Sequence, residues 1–190
     1  MTEKTFDQED RRDELVAGEI VAMSPSPGWN HITIAGNIYR TFGNFLKGKP
    51  CKAIPDGLDL HLDEDNIFIP DMMVVCDPSK IRPRGVYGAP DLVVEVLSPS
   101  TGKKDRWQKK NAYESNGIPE YWIVDPKAKS IEAYLLSDGK YILDGMYSYR
   151  TDEEIQDLTD DDQAAVATEM KCHLYDDLTI PLADIFGDLL

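Results

Sequence analysis

Between Pro90 and Pro126 the chain reads "PDLVVEVLSPST", then the basic stretch "GKKDRWQKKNAYESN", then "GIPEYWIVDP". The two outer runs are rich in β-branched and aromatic residues, as strands are. The middle ends in Asn116 and Gly117, residues that stop a helix, and Ser100 or Thr101 supplies a cap for its start. Strand, helix, strand in that order predicts a right-handed βαβ unit. One residue disturbs it. Glu95 stands inside the first strand, where an unpaired carboxylate is among the costliest groups to bury. "IPDMMVVCDP" repeats the problem, with Asp71 in an apolar run from residue 69 onward.

Around this block the remaining periodicities predict an α/β chain. "ELVAGEIVAM" reads as a hairpin or sharply bent strand at Ala17 and Gly18. Ile32, Ala35, Ile38, Tyr39, Phe42, Phe45 and Leu46 recur at helical steps up to Gly48, the pattern of an amphipathic helix with a glycine stop. "CKAIPDGLDLHL" alternates like a half-buried strand, and "NIFIPDMMVV" follows it across the turn "DEDN" as an antiparallel neighbour. The Pro/Gly-rich "PSKIRPRGVYGAP" is expected to be a crossover. "SIEAYLL" and "GKYILDGMYSY" read as a hairpin across "SDG", and "LTIPLADIF" as a short docking helix near the C-terminus.

A chain of 190 residues fits one domain, 1–190, whose core needs no staples. Three cysteines without a CxxC pair suit reduced packing thiols better than a disulfide framework or zinc site. No export signal or long apolar run is evident, so a cytoplasmic protein without membrane association is expected. The net charge of -15 opposes a protein that coats nucleic acid. Its distribution is uneven. Residues 79–110 carry eight basic and three acidic side chains, whereas the acidic segment 151–190 has twelve acids against Lys171. Positive charge therefore gathers around the strand that bears Glu95.

Neighbouring strands lie close enough for Asp71 and Glu95 to meet. Asp91 is a poorer partner, because four residues along one strand span roughly 13 Å. A hard divalent cation such as Mg²⁺, which takes one or two carboxylates plus waters, would stabilise such a pair. The plain alternative is two separately hydrogen-bonded structural acids. A glycosidase pair is a further alternative, without any sugar-stacking aromatic platform to support it.

The helix after Glu95 places Asp105, Lys109 and Tyr113 at four-residue steps on one face, offering a cation to the carboxylates. Together, "PDLVVEVLSPST", the Asp-xxx-Lys-xxx-Tyr helix and "GIPEYWIVDP" closely resemble the Uma-two family of endonuclease-like proteins, within the PD-(D/E)XK restriction-endonuclease-like superfamily. "GEIVAMSPSPGWNHITIAGNIYRTF" and "TIPLADIF" also resemble that family. The resemblance implies a mixed, mostly antiparallel central sheet flanked by helices, with Asp71 and Glu95 holding Mg²⁺ or Mn²⁺. Superfamily members usually carry the lysine two residues after the acid. Here Leu97 stands there, and Lys109 on the following helix matches this family's pattern.

The expected chemistry is metal-assisted phosphodiester hydrolysis, with the Val96 carbonyl as a further metal ligand and Lys109 orienting water or stabilising developing charge. Asp105 and Tyr113 would position Lys109, and His31 is a supporting candidate. His61, His173 and Glu19 are weaker candidates. Nucleic acid, with DNA as the expected substrate, would be the partner of a homodimer. A non-cleaving nucleic-acid-binding or regulatory module, and a structural or assembly protein, are the alternatives on the same fold.

Overall fold

A computed structural model describes residues 13–22, 27–98 and 105–190, the side chains of Asp105 and Arg106 excepted. The chain opens with a hairpin of β1 (Asp13–Val16) and β2 (Glu19–Ala22). Ala17 and Gly18 lie between them at φ 51 and 79, the left-handed pair that a two-residue hairpin loop requires. The helix α1 (Trp29–Phe45) buries Ile34, Ile38 and Phe42 completely, each contributing about 1.5–3 kcal/mol relative to an exposed side chain. The predicted first helix is thus observed, with Gly48 at φ 80 just beyond its end.

The next segment departs from the two neighbouring strands expected. It forms β3 (Lys52–Pro55), β4 (Asp59–His61), β5 (Ile67–Phe68) and β6 (Met72–Val75), in which β3 and β6 pair together in one sheet and β4 and β5 in another. The chain changes sheet twice, around Asp56-Gly57 and again around Pro70-Asp71. The expected crossover is also structured, as the small hairpin β7 (Ile81–Arg82) and β8 (Gly85–Tyr87).

The βαβ unit is present. β9 (Leu92–Val96) runs parallel to β10 (Glu120–Asp125), and between them a wide helical turn, Asp105–Lys109, leads into α2 (Lys110–Ser115). The proposed caps Ser100 and Thr101 lie outside the described residues. β11 (Ser130–Ser137) and β12 (Lys140–Ser148) form the expected hairpin, turning at Asp138 and Gly139 with φ 50 and 76. The acidic stretch 151–170, which shows no clear period, folds as α3 (Asp152–Gln156), α4 (Asp160–Ala165) and the start of β13 (Glu169–Lys171), whereas "LTIPLADIF", expected to be a short helix, forms β14 (Thr179–Pro181) and then α5 (Leu182–Phe186).

The principal sheet has the order β12-β11-β10-β9-β6-β3, with β9 and β10 its one parallel pair. A second six-stranded sheet, β2-β1-β5-β4-β8-β7, was not foreseen. Alternation along the strands sends Met72, Val74, Leu92, Val94 and Val96 to one face, where α1 and α5 cover them. Met73, Val75 and Val93 go to the other, packing with Val16, Leu60, Phe68 and Val86 of the second sheet and Tyr113 of α2. One face of the central sheet is therefore covered by helices and the other largely by strands.

Cys51 and Cys76 form a disulfide, correcting the expectation of three reduced thiols. Each lies one residue beyond the paired ends Lys52 and Val75, so strand register brings together cysteines that are 25 residues apart in sequence. Cys172 is free and buried. Among the described residues no helix is long and apolar enough to cross a membrane.

Candidate active site

In the antiparallel pair β6 and β9, Met73 faces Val93 and Met72 faces Val94. One step further along this register, Asp71 faces Glu95. Their carboxylates then part around the end of β6. Glu95, 3% exposed, follows Val93 into the core between the sheets. Asp71 precedes the strand at a sheet crossing, and its side chain is 16% exposed. Its Oδ2 accepts the Val96 N–H at 2.6 Å, and its Oδ1 lies 3.3 Å from Nε2 of His31 on α1.

The inner half of the site gathers four polar side chains. Glu95 Oε1 accepts from Lys109 Nζ at 3.0 Å and from the Tyr113 hydroxyl at 2.6 Å. Lys109 and Tyr113 are four residues apart, so successive helical turns deliver both to one oxygen. Lys109 Nζ also lies 2.8 Å from Glu14 Oε1, which in turn accepts the Ile69 N–H at 3.2 Å. Burial of two carboxylates around one ammonium is tolerable only because each is paired and hydrogen-bonded. Their geometry holds the amine in one place.

The electrostatics distinguish the two halves. Burial, reinforced by the charges of Glu95 and Glu14, pushes the Tyr113 phenol well above its ordinary range, so it is a neutral donor at any physiological pH. Burial alone would pull the His31 imidazolium down. The hydrogen bond and charge of Asp71, the Val96 backbone and the charge of Asp56 outweigh it and raise His31 above its ordinary value.

The sequence-based candidates thus fall into two linked groups, Glu95 with Lys109 and Tyr113, and Asp71 with His31 and Val96. Lys109 reaches Glu95 directly and pairs with Glu14 rather than lying evenly between Glu95 and Asp71. The side chain of Asp105 lies outside the described residues. Lys110 sits over the Tyr134 ring at 3.4 Å. Asp91, set aside as a chelator, accepts the Cys76 N–H at 2.7 Å and so closes the end of β6. His61 stacks on Tyr87, while Glu19 and His173 are exposed.

Sequence reasoning missed Glu14. Its signal is the one that exposed Glu95, an acid sharing a buried strand face, here with Val16. A strand of four residues is too short to make that alternation evident. Among the described residues no three His, Cys, Asp or Glu side chains cluster closely enough to hold a metal ion. The available donors are instead two carboxylates at facing register positions and the adjoining Val96 backbone. This all-oxygen set fits Mg²⁺, which retains several waters, better than a softer metal.

Known proteins give the comparison. A crystal structure from Anabaena variabilis ATCC 29413, described as "a putative nuclease belonging to DUF820", superposes with a TM-score of 0.70 over 97% of this chain and 95% of that one, at 17% identity. The fold is therefore that of the nuclease-like neighbour. "Uncharacterized protein slr1290" of Synechocystis sp. (strain ATCC 27184 / PCC 6803 / Kazusa) is 33% identical over 127 residues, an alignment spanning 66% of each chain and so just under two thirds of that relative. The family described as "Putative restriction endonuclease", Uma2, matches residues 2–167. With this match extending over most of its length, the chain belongs to the Uma2 family.

Proposed function

We propose that this chain is a metal-dependent endonuclease that hydrolyses phosphodiester bonds, with DNA as substrate. The observation that carries the reading is the buried Lys109 ammonium bonded to Glu95, beside a strand end where Asp71 occupies the facing position. Asp71, Glu95 and the Val96 carbonyl would hold Mg²⁺ or Mn²⁺. When bound, the ion would polarise the phosphate and lower the pKa of a coordinated water.

The chain's own groups supply positioning and charge. Glu14 anchors Lys109 as a second carboxylate besides Glu95, so the amine is fixed before substrate arrives. Such a pre-organised donor stabilises negative charge as it develops on phosphate or on the attacking oxygen. Tyr113 donates to Glu95 and restricts its rotation. His31 does the same for Asp71, while the Val96 N–H fixes the second oxygen of that carboxylate. Cutting both strands of a duplex calls for two such sites, which a cytoplasmic homodimer would provide.

The test combines binding and turnover. Mg²⁺ or Mn²⁺ should raise the thermal midpoint, because an ion that binds only the folded state stabilises it. Asp71→Ala or Glu95→Ala should remove that response. Mixed DNA and RNA strands should be cut by the wild type in the presence of metal and left intact by Glu95→Ala. Equal metal binding in wild type and the Asp71→Ala, Glu95→Ala double variant would refute the metal site. Cleavage that survives Glu95→Ala would place the chemistry elsewhere, and wild-type binding without cleavage would favour the non-cleaving module.

A further inference from the structure

A cleft of about 200 Å³ opens beside the outer half of the site, and Asp71 and His31 form one end of it. Ile32, Gly36 and Tyr39 of α1 line one wall, and Pro55 and Asp56 at the first sheet crossing line the other. Ile32 and Tyr39 are 57% and 38% exposed, an apolar surface next to a proposed reaction centre. Gly36 lies in the interior of α1, where glycine disfavours the helix. Nothing lies within 4 Å of where its Cβ would stand, so close packing does not explain the glycine. Its effect is to widen the cleft at that wall.

We propose that this cleft receives one unpaired nucleobase next to the scissile phosphate, an inference that rests on the nuclease reading above. Drug-sized ligands occupy clefts of about 300–1,000 Å³, so this smaller space suits a single planar ring system. Tyr39 offers an aromatic surface, and stacking on such surfaces is how proteins hold bases outside a helix. The wall at Gly36, without a side chain, leaves room for the ring. Asp56, an acceptor on the wall, selects a base whose edge carries an amino group, as cytosine N4 does, over thymine or uracil. A base can enter only when it has left its stack, so the preferred substrate is single-stranded or locally opened nucleic acid.

Fluorescence anisotropy in EDTA, with labelled oligomers of cytosine, of thymine or uracil, and of abasic DNA, tests this. Wild type should bind the cytosine strand about 5- to 150-fold more tightly than the abasic strand, the range expected for a base on an aromatic surface. Gly36→Leu fills the cleft while improving helix propensity, and should erase that preference without weakening abasic binding. Gly36→Ala, adding one methyl group, should reduce it partially. Asp56→Asn should bring the ratio of cytosine to thymine or uracil affinities close to one. Preference for the cytosine strand in either the DNA or the RNA series supports the cleft. Equal wild-type affinity for cytosine and abasic strands, or an undiminished preference in Gly36→Leu, overturns it. Metal-dependent cleavage that is lost in Glu95→Ala but shows no base preference would sink the cleft alone and leave the nuclease reading standing.

Discussion

Glu95 and Glu120 are buried glutamates on the adjacent parallel strands β9 and β10, at 3% and 2% exposure, yet their surroundings differ in kind. Glu120 lies on the face covered by α1. Its Oε1 accepts from Trp122 Nε1 at 2.8 Å and the His173 N–H at 3.1 Å, while Oε2 accepts the Leu174 N–H at 2.8 Å and the Cys172 thiol at 3.7 Å. Burial and the neighbouring Glu120 push the Cys172 thiol far above its ordinary range, so it remains a donor. These neutral donors fasten the segment before β14 to the central sheet. Glu95 instead meets a lysine and a tyrosine delivered by a helix, with Glu14 completing the group. A carboxylate enclosed largely by backbone donors anchors chain; one surrounded by ionisable side chains, at the register position facing Asp71, is the one proposed to work on a ligand.

The largest expected stability change comes from Lys109→Met. It leaves Glu14 and Glu95 buried without their shared ammonium and should cost about 3–5 kcal/mol in urea unfolding. Adding Glu95→Gln should restore a substantial part, because only one of the two carboxylates remains. A single-variant loss below about 1 kcal/mol would show that Lys109 is not the counter-ion. Glu120→Gln should cost about 2–3 kcal/mol, since its new amide must face donors that were bonded to a carboxylate. Hydrogen exchange should also accelerate at His173 and Leu174, and unchanged protection there would contradict the anchoring role.

Glu95→Gln keeps the shape of the side chain and leaves Lys109 paired with Glu14. In metal-free protein its unfolding free energy should stay within about 1 kcal/mol of wild type. A much larger loss would make Glu95 as structural as Glu120. An exposed carboxylate sets the lower end of the scale. Burial nudges Asp63 up, but the side-chain amides of Asn116 and Asn66 and the backbone N–H groups of Asp65 and Asn66 outweigh it and hold its pKa below the ordinary value. A depressed folded-state pKa contributes stability above the unfolded pKa, near 3.9, and that contribution disappears as pH falls through the folded value. Asp63→Asn should therefore lose less than about 1 kcal/mol at pH 7, with the gap from wild type closing as pH drops below about 4. A gap that widens in acid would reverse the assigned sign.

The same contrast explains what could be read from the sequence. Glu95, Lys109 and Tyr113 were legible because strand alternation and four-residue helical spacing are local patterns. The hairpin at Ala17-Gly18, α1 and the βαβ unit were legible for the same reason. The second sheet was not, because strands such as Ile67–Phe68 and Ile81–Arg82 are too short to display a period. The sheet crossings were hidden as well, since "AIPDGLDL" and "FIPDMMVV" look continuous until Pro55-Asp56 and Pro70-Asp71 are seen to redirect the chain. Glu120 gave no warning of its role. Its donors at His173 and Leu174 lie more than fifty residues away, beyond any local pattern.

The most direct measurement is Mg²⁺-dependent phosphodiester cleavage per folded molecule by Glu95→Gln and Glu120→Gln side by side, at a temperature where both remain folded. Glu95→Gln should be slower than wild type on the order of 10²-fold or more, because it removes one of the two carboxylates of the proposed metal site and leaves Lys109 held by Glu14 alone among the buried carboxylates. Glu120→Gln should remain close to the wild-type rate despite its larger loss of stability. Wild-type turnover by Glu95→Gln, or an equal fall in both variants, would contradict the division between a reactive and an anchoring glutamate.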